Sequence, residues 1–230
     1  MKVDFAGAPA YTVVYCILDA GEGVHAERGS MAFMSAGIQV KPALPGGVVR
    51  SFIRSRFAEE TFVMVHFVSE QPQAWVALAP HFPGDVLVSE VDADGLYVES
   101  GCVLAVEDTV ETSTRVANLQ NVLVHEGATI LHVSCPNGGT GKVLFSAYGS
   151  IERFELDPDQ HLVVDTGFLV AWTPKMQMRV GPLAGFVSSA VTGEGLVAEF
   201  VGPGDVYLQT RSHHGQDSWI YPDRQQNTGK

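Results

Sequence analysis

ADGLYVESGCVLAVEDTVET (93–112) reads as two short strands around a tight turn, and it decides the fold because the chain repeats it three times. An apolar residue, then two positions on an apolar–acid pair, one variable residue and a glycine make the frame, with Glu99 as the acid and Gly101 as the glycine. GEGVHAERGSMAFMSAGIQV (21–40) and DQHLVVDTGFLVAWTPKMQM (159–178) carry the same frame, with Glu27 and Gly29 in the first and Asp165 and Gly167 in the third. A glycine recurring two residues beyond a strand end predicts a turn that needs φ > 0 at Gly29, Gly101 and Gly167 alike.

The second half of each unit repeats as well. TFVMVHFVSEQPQAWVALAP (61–80), ATILHVSCPNGGTGKVLFSA (128–147) and GLVAEFVGPGDVYLQT (195–210) are each two apolar, β-branched or aromatic runs around a turn, the sequence form of a β-hairpin. Strands recur at about 8–12 residue intervals and helical periodicity is nearly absent. The expectation is one all-β domain over residues 1–211, built from three units at about 11–80, 81–147 and 148–211. Three hairpin-rich units sharing a core suggest a sandwich or barrel with pseudo-threefold symmetry, with short helices only in the connections. Residues 212–230 are a polar tail in which Trp219, Ile220 and Tyr221 are the groups able to dock on the domain.

PNGGTGKV (136–143) invites a nucleotide reading, since a phosphate-binding loop is G-x-x-x-x-G-K-[ST]. Gly141 and Lys142 fit, but Pro136 removes a backbone donor and Val143 cannot ligate Mg²⁺. A phosphate loop also opens a helix, whereas this stretch lies at the turn position shared with SEQPQAW and GPGDV of the other units. It is read as a turn.

The blocks LDAGEGVHAERGSMAFM, FPGDV, FSAYGSIERFELDPDQHLVVDTGFLVAW and GEGLVAEFVGPGDVYLQTRS resemble the altered-inheritance-of-mitochondria protein 24 family, in the tryptophan-RNA-binding-attenuator-like (TRAP-like) superfamily. The resemblance runs from about Tyr11 to Ser212. The resemblance implies a β-sandwich of the double-stranded β-helix type, built from three pseudo-threefold-related, hairpin-rich units, and no established enzymatic activity. Its mitochondrial members are associated with inner-membrane organisation. RNA and tryptophan binding do not transfer with the superfamily name, because function belongs to sites and not to folds. One departure is the short segment KPALPGGVVRSFIRSRFAEE (41–60) where many bacterial relatives carry a long Gly-rich loop.

Composition narrows the function further. The 230 residues are 46% hydrophobic and 17% charged, which describes a globular chain. A formal charge of −12 repels polyanions and argues against nucleic acid as a partner. Cys16, Cys102 and Cys135 form neither a zinc spacing nor a disulfide framework. The eight-residue run YTVVYCIL (11–18) is too short to cross a membrane, so a cytoplasmic protein without a cleaved signal is expected.

Candidate sites are few. His66, His132 and Glu199 fall at equivalent positions of the three units, so a threefold axis could gather two imidazoles and a carboxylate, a set able to hold Fe(II) or Zn. The same residues equally suit solvent-facing strand positions, and no metal or other cofactor is assigned. His213 and His214 lie in the tail. Asp19 with Glu22, Asp92 with Asp94, and Asp157 with Asp159 recur at turns. There they read as backbone-bonding turn residues and not as a calcium loop. Cys102 follows Gly101 where the other units have Ser30 and Phe168, which does not mark a nucleophile, so no catalytic residue is assigned.

The connection in the first unit is the most informative segment. Val49, Phe52, Ile53 and Phe57 have helical spacing, and Arg50, Arg54 and Arg56 flank them, giving a basic amphipathic helix that suits either a membrane or partner contact or a lid burying Phe52 and Phe57 on the protein's own sheet. With the apolar connections at 117–127 and 181–195, residues 41–60 are expected to form one contact surface. The resulting expectation is a non-enzymatic oligomeric scaffold or binding protein, a homo-oligomer with those residues at its interface. Two alternatives stand beside it: a peripheral membrane-associated protein using the same surface, and a small-molecule or metal-binding enzyme of the double-stranded β-helix type.

Overall fold

The computed structural model describes residues 1–42, 63–113, 129–182 and 196–212. The connections expected to form the contact surface, with Val49, Arg50, Phe52, Ile53, Arg54, Arg56 and Phe57, and the tail lie outside these residues.

Each unit contributes six strands in the same order. The first has β2 (Val13–Leu18), β3 (Gly23–Glu27), β4 (Met31–Met34), β5 (Ile38–Pro42), β6 (Met64–Ser69) and β7 (Ala74–Leu78). The second has β8 (Val86–Val91), β9 (Leu96–Glu99), β10 (Val103–Glu107), β11 (Glu111–Ser113), β12 (Ile130–Ser134) and β13 (Gly141–Ser146). The third has β14 (Ile151–Leu156), β15 (His161–Asp165), β16 (Leu169–Trp172), β17 (Gln177–Pro182), β18 (Leu196–Val201) and β19 (Gly204–Gln209). One further strand, β1 (Lys2–Ala6), precedes them and pairs antiparallel with β2, outside the repeat read from the sequence.

The runs expected to be hairpins form strand–turn–strand segments, but the two strands do not pair. β6 pairs with β3 and β5, whereas β7 pairs with β2 and β4 in another sheet, and β12/β13 and β18/β19 divide in the same way. The antiparallel neighbours in sequence are instead β5 with β6, β11 with β12 and β17 with β18, whose pairing holds together the two ends of each long connection. Alternation of apolar residues shows that a segment is a strand. It does not say which sheet the strand enters.

The four sheets follow from this routing. β1-β2-β7-β4 and β15-β18-β17 are the outer ones; β5-β6-β3-β10-β13-β8 and β11-β12-β9-β16-β19-β14 lie between them, each built half from one unit and half from the next. Three hydrophobic clusters join the sheets in series. One packs Val14, Leu18 and Val76 on Val24, Phe67 and Leu104; the next packs Val103, Val143 and Phe145 on Val98, Leu131 and Val133; the third packs Ile130, Trp172 and Val206 on Val164, Ala198 and Phe200. The inner sheets are thus covered on both faces at β10 and β16, whose residues divide between two clusters. That explains why VLAV of β10 and LVAW of β16 are unbroken apolar runs, every residue of which is buried.

The shared glycines behave differently from expectation. Gly29 has φ +91° in a turn closed by Ser30 N–H donating to the Glu27 carbonyl at 3.1 Å. Gly101 and Gly167 instead sit within single 3-10 turns, Ser100–Cys102 and Thr166–Phe168, and neither has positive φ. The third-unit turn is held by the acid of the frame, since the Asp165 carboxylate accepts from Gly167 N–H at 2.8 Å. A 3-10 turn keeps φ negative, so these two positions tolerate glycine without needing it. Among the described residues these turns lie inside the units, not in the connections.

PNGGTGKV links strands β12 and β13, with no helix following. Lys142 lies in β13, where its ammonium donates to the Met1 carbonyl at 2.8 Å.

Candidate functional site

Unit joins to unit through one repeated contact. β3 of the first unit pairs with β10 of the second, with Ala26 opposite Ala105 and His25 opposite Val106. β9 of the second pairs with β16 of the third, with Val98 opposite Ala171 and Tyr97 opposite Trp172. The next member of the series would join β15 to β4. Among the described residues β15 pairs only with β18 and β4 only with β7, so the threefold repeat does not close on itself. Even the irregularity is shared: β4, β10 and β16 each carry a register shift, at Met31/Phe33, Val103/Ala105 and Leu169/Ala171.

Those shifts align the three strands residue by residue. Phe33, Ala105 and Ala171 are equivalent, as are Met34, Val106 and Trp172. β10 and β16 are buried, whereas MAFM of β4 is exposed throughout, with Met31 at 39%, Phe33 at 46% and Met34 at 38%. On the other open edge Val163 is 43% exposed. Phe33 also packs edge-on against Tyr15 and Trp75, each with its ring centroid 5.9 Å away, and those two rings are 5.5 Å from one another.

The first junction carries a polar cluster. His25 and His66 are opposite one another on β3 and β6, their rings stacked 4.1 Å apart and 10° from parallel. Asp108, just past the end of β10, brings Oδ1 to 2.9 Å from His66 Nε2 and 3.4 Å from His25 Nε2. Burial lowers the pKa of His25, the neighbouring His66 lowers it further and Asp108 partly opposes both, so the His25 ring favours its neutral form. Gly23, two residues before His25, faces the same space. A Cβ there would stand 2.5 Å from both His66 Nε2 and Asp108 Oδ2.

His66, His132 and Glu199 do occupy equivalent positions, opposite His25, Tyr97 and Val163. They are not brought together. His132 Nε2 lies 2.8 Å from the Asp94 carbonyl and its ring tilts on Tyr97, while Glu199 bonds His161 at 3.0 Å and Arg179 at 2.8 Å. β6, β12 and β18 lie in three different sheets, and each of the three side chains is engaged by partners of its own. The sequence signal that was available is GVH of β3, whose alternation puts Gly23 and His25 on one face; Asp108 joins them only because the next unit pairs alongside.

Two of the three acidic turns bond backbone through their carboxylates, while in the third Asp157 N–H donates to the Gln160 side chain at 2.9 Å. Asp92 accepts from the N–H groups of Asp94 at 2.9 Å and Gly95 at 3.2 Å, and Glu22 accepts from Asp19 N–H at 2.9 Å. All three cysteines are free and buried. Burial pushes the Cys16 thiol up to about 12, and burial beside Glu99 raises Cys102 as well, the reverse of an activated nucleophile.

Comparison with known proteins places the chain. The family model described as mitochondrial biogenesis AIM24 matches residues 3–211. The chain belongs to this family. An uncharacterised protein of Streptococcus pyogenes serotype M6 is 24% identical over 206 residues, covering 87% of this chain and 82% of that one. A crystal structure of a Streptococcus pyogenes protein superposes with a TM-score of 0.74 at 23% identity, over 96% of this chain and 98% of the other, which establishes the fold. These relatives bring no enzymatic activity with them. Among the described residues no helix is long and apolar enough to cross a membrane.

Proposed function

We propose that this AIM24-family chain is a non-enzymatic scaffold that assembles head to tail, β4 of one copy pairing with β15 of the next. The observation that carries this reading is the contrast between β4 and its equivalents. MAFM has the unbroken apolar pattern of a strand covered on both faces and along both edges, yet it is exposed where β10 and β16 are buried. An exposed apolar edge strand is a template for pairing with another chain, and an identical chain carries the complementary edge.

The internal junctions fix the expected register. Ala26–Ala105 and Val98–Ala171 place Phe33 opposite Val164 of the next copy, and His25–Val106 and Tyr97–Trp172 place Met34 opposite Val163. Such a contact uses two different surfaces, so it propagates into a ring or a filament and does not stop at a two-fold dimer.

Complementation tests this. Met34→Lys and Val163→Lys each place a charge in one half of the contact at a position exposed in the single chain, so each variant should be monomeric by light scattering. An equimolar mixture retains one intact β4 and one intact β15 and should form dimers and nothing larger. A monomeric native protein, or variants that keep the native mass, would reject the reading.

A further inference from the structure

We infer that His25, His66 and Asp108 form a binding site for a divalent transition metal of the Zn²⁺ class at the junction of the first two units.

Two imidazoles and one carboxylate are a donor set that borderline metals take, with three protein ligands leaving a coordination position open. At metal–ligand distances of about 2.0–2.1 Å, tetrahedral ligand atoms stand about 3.3 Å apart. The observed separations from Asp108 Oδ1, 2.9 Å to His66 Nε2 and 3.4 Å to His25 Nε2, bracket that figure.

A purely structural role explains the cluster less well. Among the described residues His25 Nδ1 is buried without a hydrogen-bond partner, and its Nε2 is 3.4 Å from the Asp108 carboxylate, too long for a good hydrogen bond. Gly23 supplies the remaining piece, because any side chain there would press on the same two ligand residues, His66 and Asp108.

The repeat provides an internal control. At the second junction the places of His25, His66 and Asp108 are taken by Tyr97, His132 and Pro174, a set without a carboxylate. The junction fold therefore does not require His–His–Asp. These residues are a property of one junction out of two, and the inference is independent of whether copies assemble.

The test uses the full chain, treated with chelator and titrated calorimetrically with ZnCl₂ at 0.15 M salt, and with Co²⁺ as a visible-band reporter of coordination. One Zn²⁺ per chain should bind, and Co²⁺ should give the ligand-field bands of a nitrogen–oxygen site. Asp108→Asn and His66→Gln should each weaken Zn²⁺ by about 100-fold or more, since even outer-shell losses cost about 10–100-fold. His132→Gln should leave the affinity unchanged. Circular dichroism and thermal melts verify that each variant is folded; Gly23→Ala, which fills the space but keeps all three ligands, should also weaken binding. No stoichiometric binding by the native chain overturns the inference, as does undiminished binding by a folded His66→Gln/Asp108→Asn double variant.

Discussion

Met34 and Trp172 hold the same place in the first and third units, and they differ only in what lies beside them. Trp172 is opposite Tyr97 of the neighbouring unit and 1% exposed, whereas Met34 has β7 on one side alone and is 38% exposed. Their truncations should therefore separate widely. Trp172→Ala should cost about 3–5 kcal/mol by denaturant unfolding, as buried aromatic truncations do. Met34→Ala should cost within about 0.5 kcal/mol in dilute protein, the usual range for a surface substitution. If copies pair through β4, the Met34→Ala deficit should grow with protein concentration, because association stabilises the native chain by mass action.

The glycines of the repeat should also part company. Gly29→Ala forces a side chain into φ +91°, so a loss of roughly 1–2 kcal/mol is expected. Gly101→Ala meets only the Glu99 carboxylate at 3.1 Å, the movable end of a side chain, and its φ is not positive. It should be neutral or stabilising by up to about 1 kcal/mol, through the unfolded state. Equal losses at the two positions would show that the shared glycine has one backbone role after all.

Repetition was legible because it lies in local residue spacing: Gly29, Gly101 and Gly167 mark three turns whatever their φ. Strand routing was not, since VMVHFVS and AWVAL look alike whether they pair with one another or with strands on opposite sides of a core. The histidine cluster stayed hidden for the same reason. The repeat groups His66 with His132 and Glu199, but its neighbours are set by cross-strand pairing with His25 and by the arrival of Asp108 from the next unit. In β4 the signal was present in MAFM itself, an unbroken apolar run, and only the exposure of that strand gave it meaning.

Thiol labelling should report unfolding and not chemistry. Cys16 and Cys102 are buried, and burial raises both thiols, so almost no thiolate exists at pH 8. Cys135 donates to the Thr109 carbonyl at 3.1 Å from a position only 2% exposed. Iodoacetamide should leave all three unmodified in the native protein and label all three in denaturant. Rapid native alkylation of Cys102 would instead revive it as a reactive group.

Acid should weaken the third unit through Glu199. The His161 hydrogen bond lowers its pKa most, the opposing effect of desolvation is overcome, and the Arg179 guanidinium lowers it further. Because the folded pKa lies below the ordinary value of 4.5, the unfolded chain binds more protons in the interval between them. The carboxylate's contribution is thus complete above pH 4.5 and is lost as pH falls through the folded value. Glu199→Gln should be less stable than the native protein at pH 7, with the difference shrinking below pH 4.5 and vanishing once the native carboxyl is protonated. Salt should shrink the pH 7 difference too, since His161 and Arg179 are 58% and 64% exposed. Melting curves of the two proteins from pH 7 to pH 3 measure this; parallel curves across that range would mean that the network does not couple Glu199 ionisation to folding.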